Sequence, residues 1–123
     1  MIENVKIQPL NVINLNNWCL LSSSYKNFNN VPITTEDKTK TLDNEVKDII
    51  GEVRNIRINE DNSWLIGDYY FNSEELETEY KDKIFIGFGC GEIDNRTVVN
   101  YDLLCVHPME DIENYAWKDL IKR

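Results

Sequence analysis

The side chains able to do chemistry are few and scattered. A nucleophile–base pair of the Ser-His or Cys-His kind would have to use His107, the only histidine, which stands just before Pro108. Nothing in the sequence places a nucleophile beside it, and a histidine ahead of proline at a strand-to-helix junction reads as structural. Cys19, Cys90 and Cys105 are an odd number of thiols with no CxxC spacing. They read as reduced, mostly buried cysteines of a reducing compartment, too dispersed for a zinc site. The carboxylate pairs Glu60-Asp61 and Glu74-Glu75 are adjacent in sequence, as in a solvated turn or a helix start. An acid–base pair must instead face itself across a cleft. Glu92, Asp94 and Asp102 lack the spacing of a metal-binding loop. The expectation is therefore a protein that is not an enzyme, with no catalytic residue, no metal site and no cofactor.

One motif asks for a different explanation. Gly87, Gly89 and Gly91 recur inside a strand-like run, where glycine is unfavourable and marks a bulge or a close backbone approach. No helix N-terminus follows and no lysine completes a phosphate loop, so phosphate binding is the weaker reading. Another strand or the terminal helix lying on this bare stripe is the structural explanation. The functional one is a shallow partner groove formed by Gly87, Gly89 and Gly91 with Asn100 and Asp102 as polar anchors.

The elements that must position these residues follow from hydrophobic periodicity. Two hairpins are expected, over residues 53–71 and 84–106, plus short N-terminal strands in residues 1–30. In the second hairpin, a turn at Asp94-Asn95 puts Glu92 opposite Thr97. That register aligns Cys90 with Val99, Phe88 with Tyr101, Ile86 with Leu103 and Ile84 with Cys105 on one apolar face. Asn72 as N-cap, with Glu75 three residues on, predicts a short helix near 73–81. Early Glu110, Asp111 and Glu113 and late Lys118, Lys122 and Arg123 predict a C-terminal helix over 109–122 with a stripe that packs on the sheet. Residues 29–45 read as a long polar loop or arm. The fold class is thus α+β, mostly antiparallel β, in a single domain spanning residues 1–123.

Composition bounds the partners. The chain has 123 residues, 41% of them apolar, which is enough to bury a core without disulfides. Thirteen basic against twenty-two acidic residues give a formal charge of −9. That balance argues against nucleic acid and against anionic lipid. No apolar run reaches the length of a membrane span, and no signal-peptide pattern opens the chain.

The run Lys83-Ile-Phe-Ile-Gly-Phe-Gly89, followed by Tyr101-Asp-Leu-Leu-Cys-Val-His-Pro108, resembles the core of tailed-phage prohead (head maturation) proteases. Upstream, Val31-Pro-Ile33 through Asp37 resembles that family's histidine-bearing segment. Ile50-Gly-Glu-Val53 and residues 61–65 resemble the hairpin after it. The resemblance covers about residues 31–117. It puts the family's serine at Phe85 and its histidine near Asp37 or Lys38, none of which can do that chemistry. It implies a non-catalytic relative, a phage structural or accessory protein of the host cytoplasm or virion. The implied partner is a capsid component or a further copy of the chain. The competing class starts from charge: a small acidic inhibitor or immunity protein that binds a basic host protein such as a nuclease.

Overall fold

Asparagine-rich turns fold back both expected hairpins. The computed structural model describes residues 1–41, 43–109, 113, 115 and 117–121, without the side chains of residues 39 and 121. Six strands join one mixed sheet in the order β1-β4-β3-β2-β6-β5. They are β1 (Ile2–Pro9), β2 (Val31–Thr34), β3 (Ile49–Ile58), β4 (Trp64–Phe71), β5 (Phe85–Asp94) and β6 (Thr97–Pro108). Every pairing is antiparallel except β2 with β6, which run parallel through Ile33 and Val106. Three short helices, α1 (Lys38–Thr41), α2 (Glu74–Tyr80) and α3 (Lys118–Ile121), complete an α+β fold. None of the described helices is long and apolar enough to cross a membrane.

Several expectations shift by identifiable causes. The β5–β6 turn is Asn95-Arg96, both with positive φ (49° and 69°), the requirement of a type I′ turn. Asp94 therefore faces Thr97, and Glu92 faces Val99. The register then slips twice, once at Asn100 (φ 53°), so that Cys90 faces Asp102, Phe88 faces Cys105 and Ile86 faces His107. The predicted apolar face is accordingly broken: Cys90 is exposed, Ile84 is 42% exposed, and the neighbours Phe85 and Ile86 are both buried.

The polar arm contains β2, wedged between β3 and β6, because Val31, Ile33 and Thr34 are all buried. The cap of α2 is Ser73, not Asn72, and its side chain accepts the Leu76 N–H. The C-terminal helix is shorter than its charge order predicts. Met109 and Tyr115 lie outside it, and residues 110–112, 114, 116, 122 and 123 fall outside the described part. Tyr115 and Trp117, two apart, are both buried, which a continuous helical stripe does not allow. Residues 12–15, within the 1–30 span expected to hold short strands, form a loop that exposes Ile13 and Leu15.

The sheet curls until its two edge strands meet, and a side chain joins them. Gln8 of β1 donates from its amide nitrogen to the Tyr101 hydroxyl (2.8 Å) and to the Gly87 carbonyl of β5 (3.3 Å). Its amide oxygen accepts from the Tyr25 hydroxyl (2.8 Å). Gln8 is 3% exposed, and burial pushes both tyrosines above the ordinary phenol range. No backbone hydrogen bond joins β1 to β5 among the described residues.

The curl is set by bulges. Asn4 in β1 and Asn55 in β3 both take positive φ, and the buried Asp68 of β4 sits between them. Its carboxylate accepts the Asn4 N–H (3.2 Å), the Asn55 side-chain amide (3.2 Å) and the Arg57 guanidinium (3.3 Å). Burial raises the Asp68 carboxyl, but those donors outweigh it and hold it below the usual carboxylate range.

Gln8→Met keeps the volume but strands two buried hydroxyls. It should lower unfolding free energy by about 2–5 kcal/mol, read by urea denaturation. Adding Tyr25→Phe and Tyr101→Phe should recover part of that loss, since no unpaired hydroxyl then remains and only the Gly87 carbonyl has lost its donor.

Candidate functional site

The glycine stripe is explained from within the chain. Strand alternation turns Phe85, Gly87 and Gly89 to the inner face and Ile86 and Phe88 to the outer one. A Cβ on Gly87 would lie 2.8 Å from Ile7 and 2.9 Å from the Gln8 side chain. On Gly89 it would lie 2.3 Å from the Asp102 carbonyl oxygen and 2.8 Å from the Tyr101 ring; on Gly91, 3.0 Å from Val98. The bare stripe is the space that Ile7, Gln8 and Tyr101 occupy. Asn100 is exposed and donates to the Glu92 carboxylate (3.3 Å), while Asp102 is half-buried opposite the exposed Cys90. The five residues read as one partner surface are therefore divided between the two sides of the sheet.

The outer face of β5–β6 carries a cluster that the sequence reading missed. Residues 36–38 and 43–45 lie over it, and the Lys38 side chain is completely buried. The Lys38 ammonium donates to Asp43 (2.7 Å) and to the Glu45 carbonyl (2.6 Å), lies 3.8 Å from Glu36, and sits over the Phe88 ring at 5.4 Å. Burial alone would lower the Lys38 pKa, but the Asp43 hydrogen bond and the charges of Asp43 and Glu36 raise it overall. The raised pKa favours the cationic form of the amine.

Below it, Cys105 and His107 alternate along β6, both almost fully buried. Burial pushes the Cys105 thiol up to about 11. Burial likewise pulls His107 below its ordinary value, against the pull of the Pro108 carbonyl (2.9 Å) and Asp37 (3.8 Å). A protonated thiol and a neutral imidazole are the opposite of the thiolate–imidazolium pair that cysteine catalysis needs. The one sequence signal for this cluster is the gathering of two acids and two lysines in residues 36–40.

The resemblance-derived positions are not gathered. Phe85 lies in the core, 5.3 Å from the Tyr69 ring and 6.1 Å from that of Phe71. Asp37 and Lys38 lie over the opposite face of the same hairpin. Among the described residues no three His, Cys, Asp or Glu side chains group as a metal site would require. All three cysteines are free, but only Cys105 is buried; Cys19 is intermediate and Cys90 exposed. Comparison with known proteins returns no match: no protein-family profile fits the chain, and no curated protein or solved structure is significantly similar to it.

An apolar groove of about 490 Å³ lies on the β1–β5 seam. Its walls are Val5 and Ile7 of β1, Ile84, Phe85 and Ile86, with Leu120 of α3 alongside. The sequence gives no sign of it, because β1 and β5 are about eighty residues apart and meet only once the sheet curls.

Three outcomes are expected. Gly89→Val should destabilise the isolated protein by about 1–3 kcal/mol in a thermal melt, because the clash is with backbone that cannot give way. A thiol reagent should label Cys90 in the native protein and Cys105 only on unfolding. The depressed folded pKa of His107 gives stability that is complete above the unfolded value of about 6.5 and is lost as pH falls through the folded value. Melting temperature should therefore drop through that window, and His107→Gln should remove that part of the slope.

Proposed function

We propose that this chain is a non-enzymatic protein-binding domain, a phage structural or accessory protein of the host cytoplasm or virion. In this reading a prohead-protease-like β-domain has lost its catalytic positions and serves as an interaction scaffold. The observation that carries it is Phe85. Where the resemblance asks for a nucleophilic hydroxyl, an aromatic ring fills the core against Tyr69, on the face away from Asp37 and Lys38. The other groups with chemical potential, Lys38, Cys105 and His107, are buried in their unreactive forms.

A second reading, a small acidic inhibitor or immunity protein acting on a basic partner, is favoured by charge. The exposed side of α2 presents Glu74, Glu75 and Glu79 on a chain of formal charge −9. Such a surface steers a basic partner quickly, and the complex weakens with salt.

A pull-down from the native host or from virions, run at low and high salt, separates the two. The scaffold reading expects a capsid component retained at high salt; the inhibitor reading expects a basic protein lost there. A robust hydrolase activity that vanishes in His107→Ala would overturn both.

A further inference from the structure

We propose that the groove on the β1–β5 seam takes a short, extended, acidic segment of a partner protein, which adds to the free edge of β5 as a strand. This rests on the protein-binding reading and names its site and the chemistry of its partner.

The free edge is fixed by geometry. The Gly87 carbonyl points across the seam, since Gln8 reaches it. No bulge intervenes between Phe85 and Gly87, so the backbone N–H and C=O of Phe85 point the same way, into the groove. The opposite side of β5 is already used: Ile86 pairs with His107, and the Ile84 carbonyl accepts the Met109 N–H (2.9 Å). Pro108, which has no N–H, stands opposite Phe85, where none is needed. β1 and β5 are the two edges of the sheet, and an unpaired edge is a template for another strand. Gln8 closes the seam at Gly87, so the segment must enter from the Lys83 end.

Charge selects the segment. On a chain of formal charge −9, the groove lining holds two lysines, Lys6 and Lys83, and no carboxylate. Lys6 makes no ion pair among the described residues, and its ammonium lies over the Trp64 ring at 4.9 Å. Apolar walls with cations at the rim suit a strand that alternates aliphatic and acidic side chains. The exposed Ile84 is the surface on which its aliphatic residues would rest.

The test is an NMR titration of the isotope-labelled full chain with two capped hexapeptides, one alternating glutamate and valine, the other alternating lysine and valine. The glutamate peptide should shift amides of residues 4–7 and 83–87 and slow exchange of the Phe85 amide. Lys6→Glu should weaken that binding about tenfold. Ile84→Asp, a surface change whose melt should match the wild type, should abolish it. Equal binding of both peptides, perturbation confined to other surfaces, or none in this groove would overturn the proposal. So would self-association that fills the groove with a second copy, seen as the same shifts on raising protein concentration alone. In the pull-down, an Ile84→Asp variant that retains the wild-type partner would sink the groove and leave the binding reading standing. Hydrolase activity would sink that reading and leave the titration result intact.

Discussion

The buried amide of Gln8 is the constraint on which the rest depends. A six-stranded sheet that curls this far brings two edges together, and a ladder between them would seal it. Here one side chain closes the seam at a single point and satisfies the Tyr25 and Tyr101 hydroxyls inside the core. Three consequences follow. The segment carrying Tyr25 is tied under the sheet. Gly87 and Gly89 must lack side chains, because Ile7, Gln8 and Tyr101 occupy that space. The edges stay unpaired beyond Gly87, which leaves an apolar groove where a sealed barrel would have none.

Asparagine supplies the curvature. Among the described residues, nine non-glycine positions take positive φ, seven of them asparagine, and no glycine does. Asparagine tolerates the left-handed region because its short amide can bond locally. Alternation revealed both hairpins and a capping signal revealed the acidic helix, while the register of β5–β6 was hidden. Nothing in local pattern distinguishes Asn100 at a bulge from an asparagine in a regular strand. β2 was hidden for another reason: four residues including Pro32 carry too little pattern, and burial between two neighbours makes them a strand. The C-terminal stripe was half legible, since Tyr115 and Trp117 of the expected helix are buried but do not lie on one helix.

The site was legible in kind more than in place. Glycine within a strand does mark a close approach here, and the approaching groups come from the same chain. The sparse chemistry of the sequence becomes, in three dimensions, a cation caged by Asp43 and Glu45 above a neutral thiol and imidazole. That cluster ties residues 36–38, 43 and 45 to one another over the sheet. The two surfaces on which the proposed binding readings rest, the acidic helix and the seam, differ in charge: α2 exposes glutamates, and the seam is lined by Lys6 and Lys83 with no carboxylate.

The most direct test of the seam is residue-resolved amide hydrogen exchange along β5 in the native protein. Closure by a side chain predicts a two-residue alternation. Ile86, bonded into β6, should exchange slowly, and Phe85 and Gly87, turned to the seam, should exchange fast. Equal protection of all three amides would mean that β1 and β5 share a backbone ladder, with no free edge and no groove to fill.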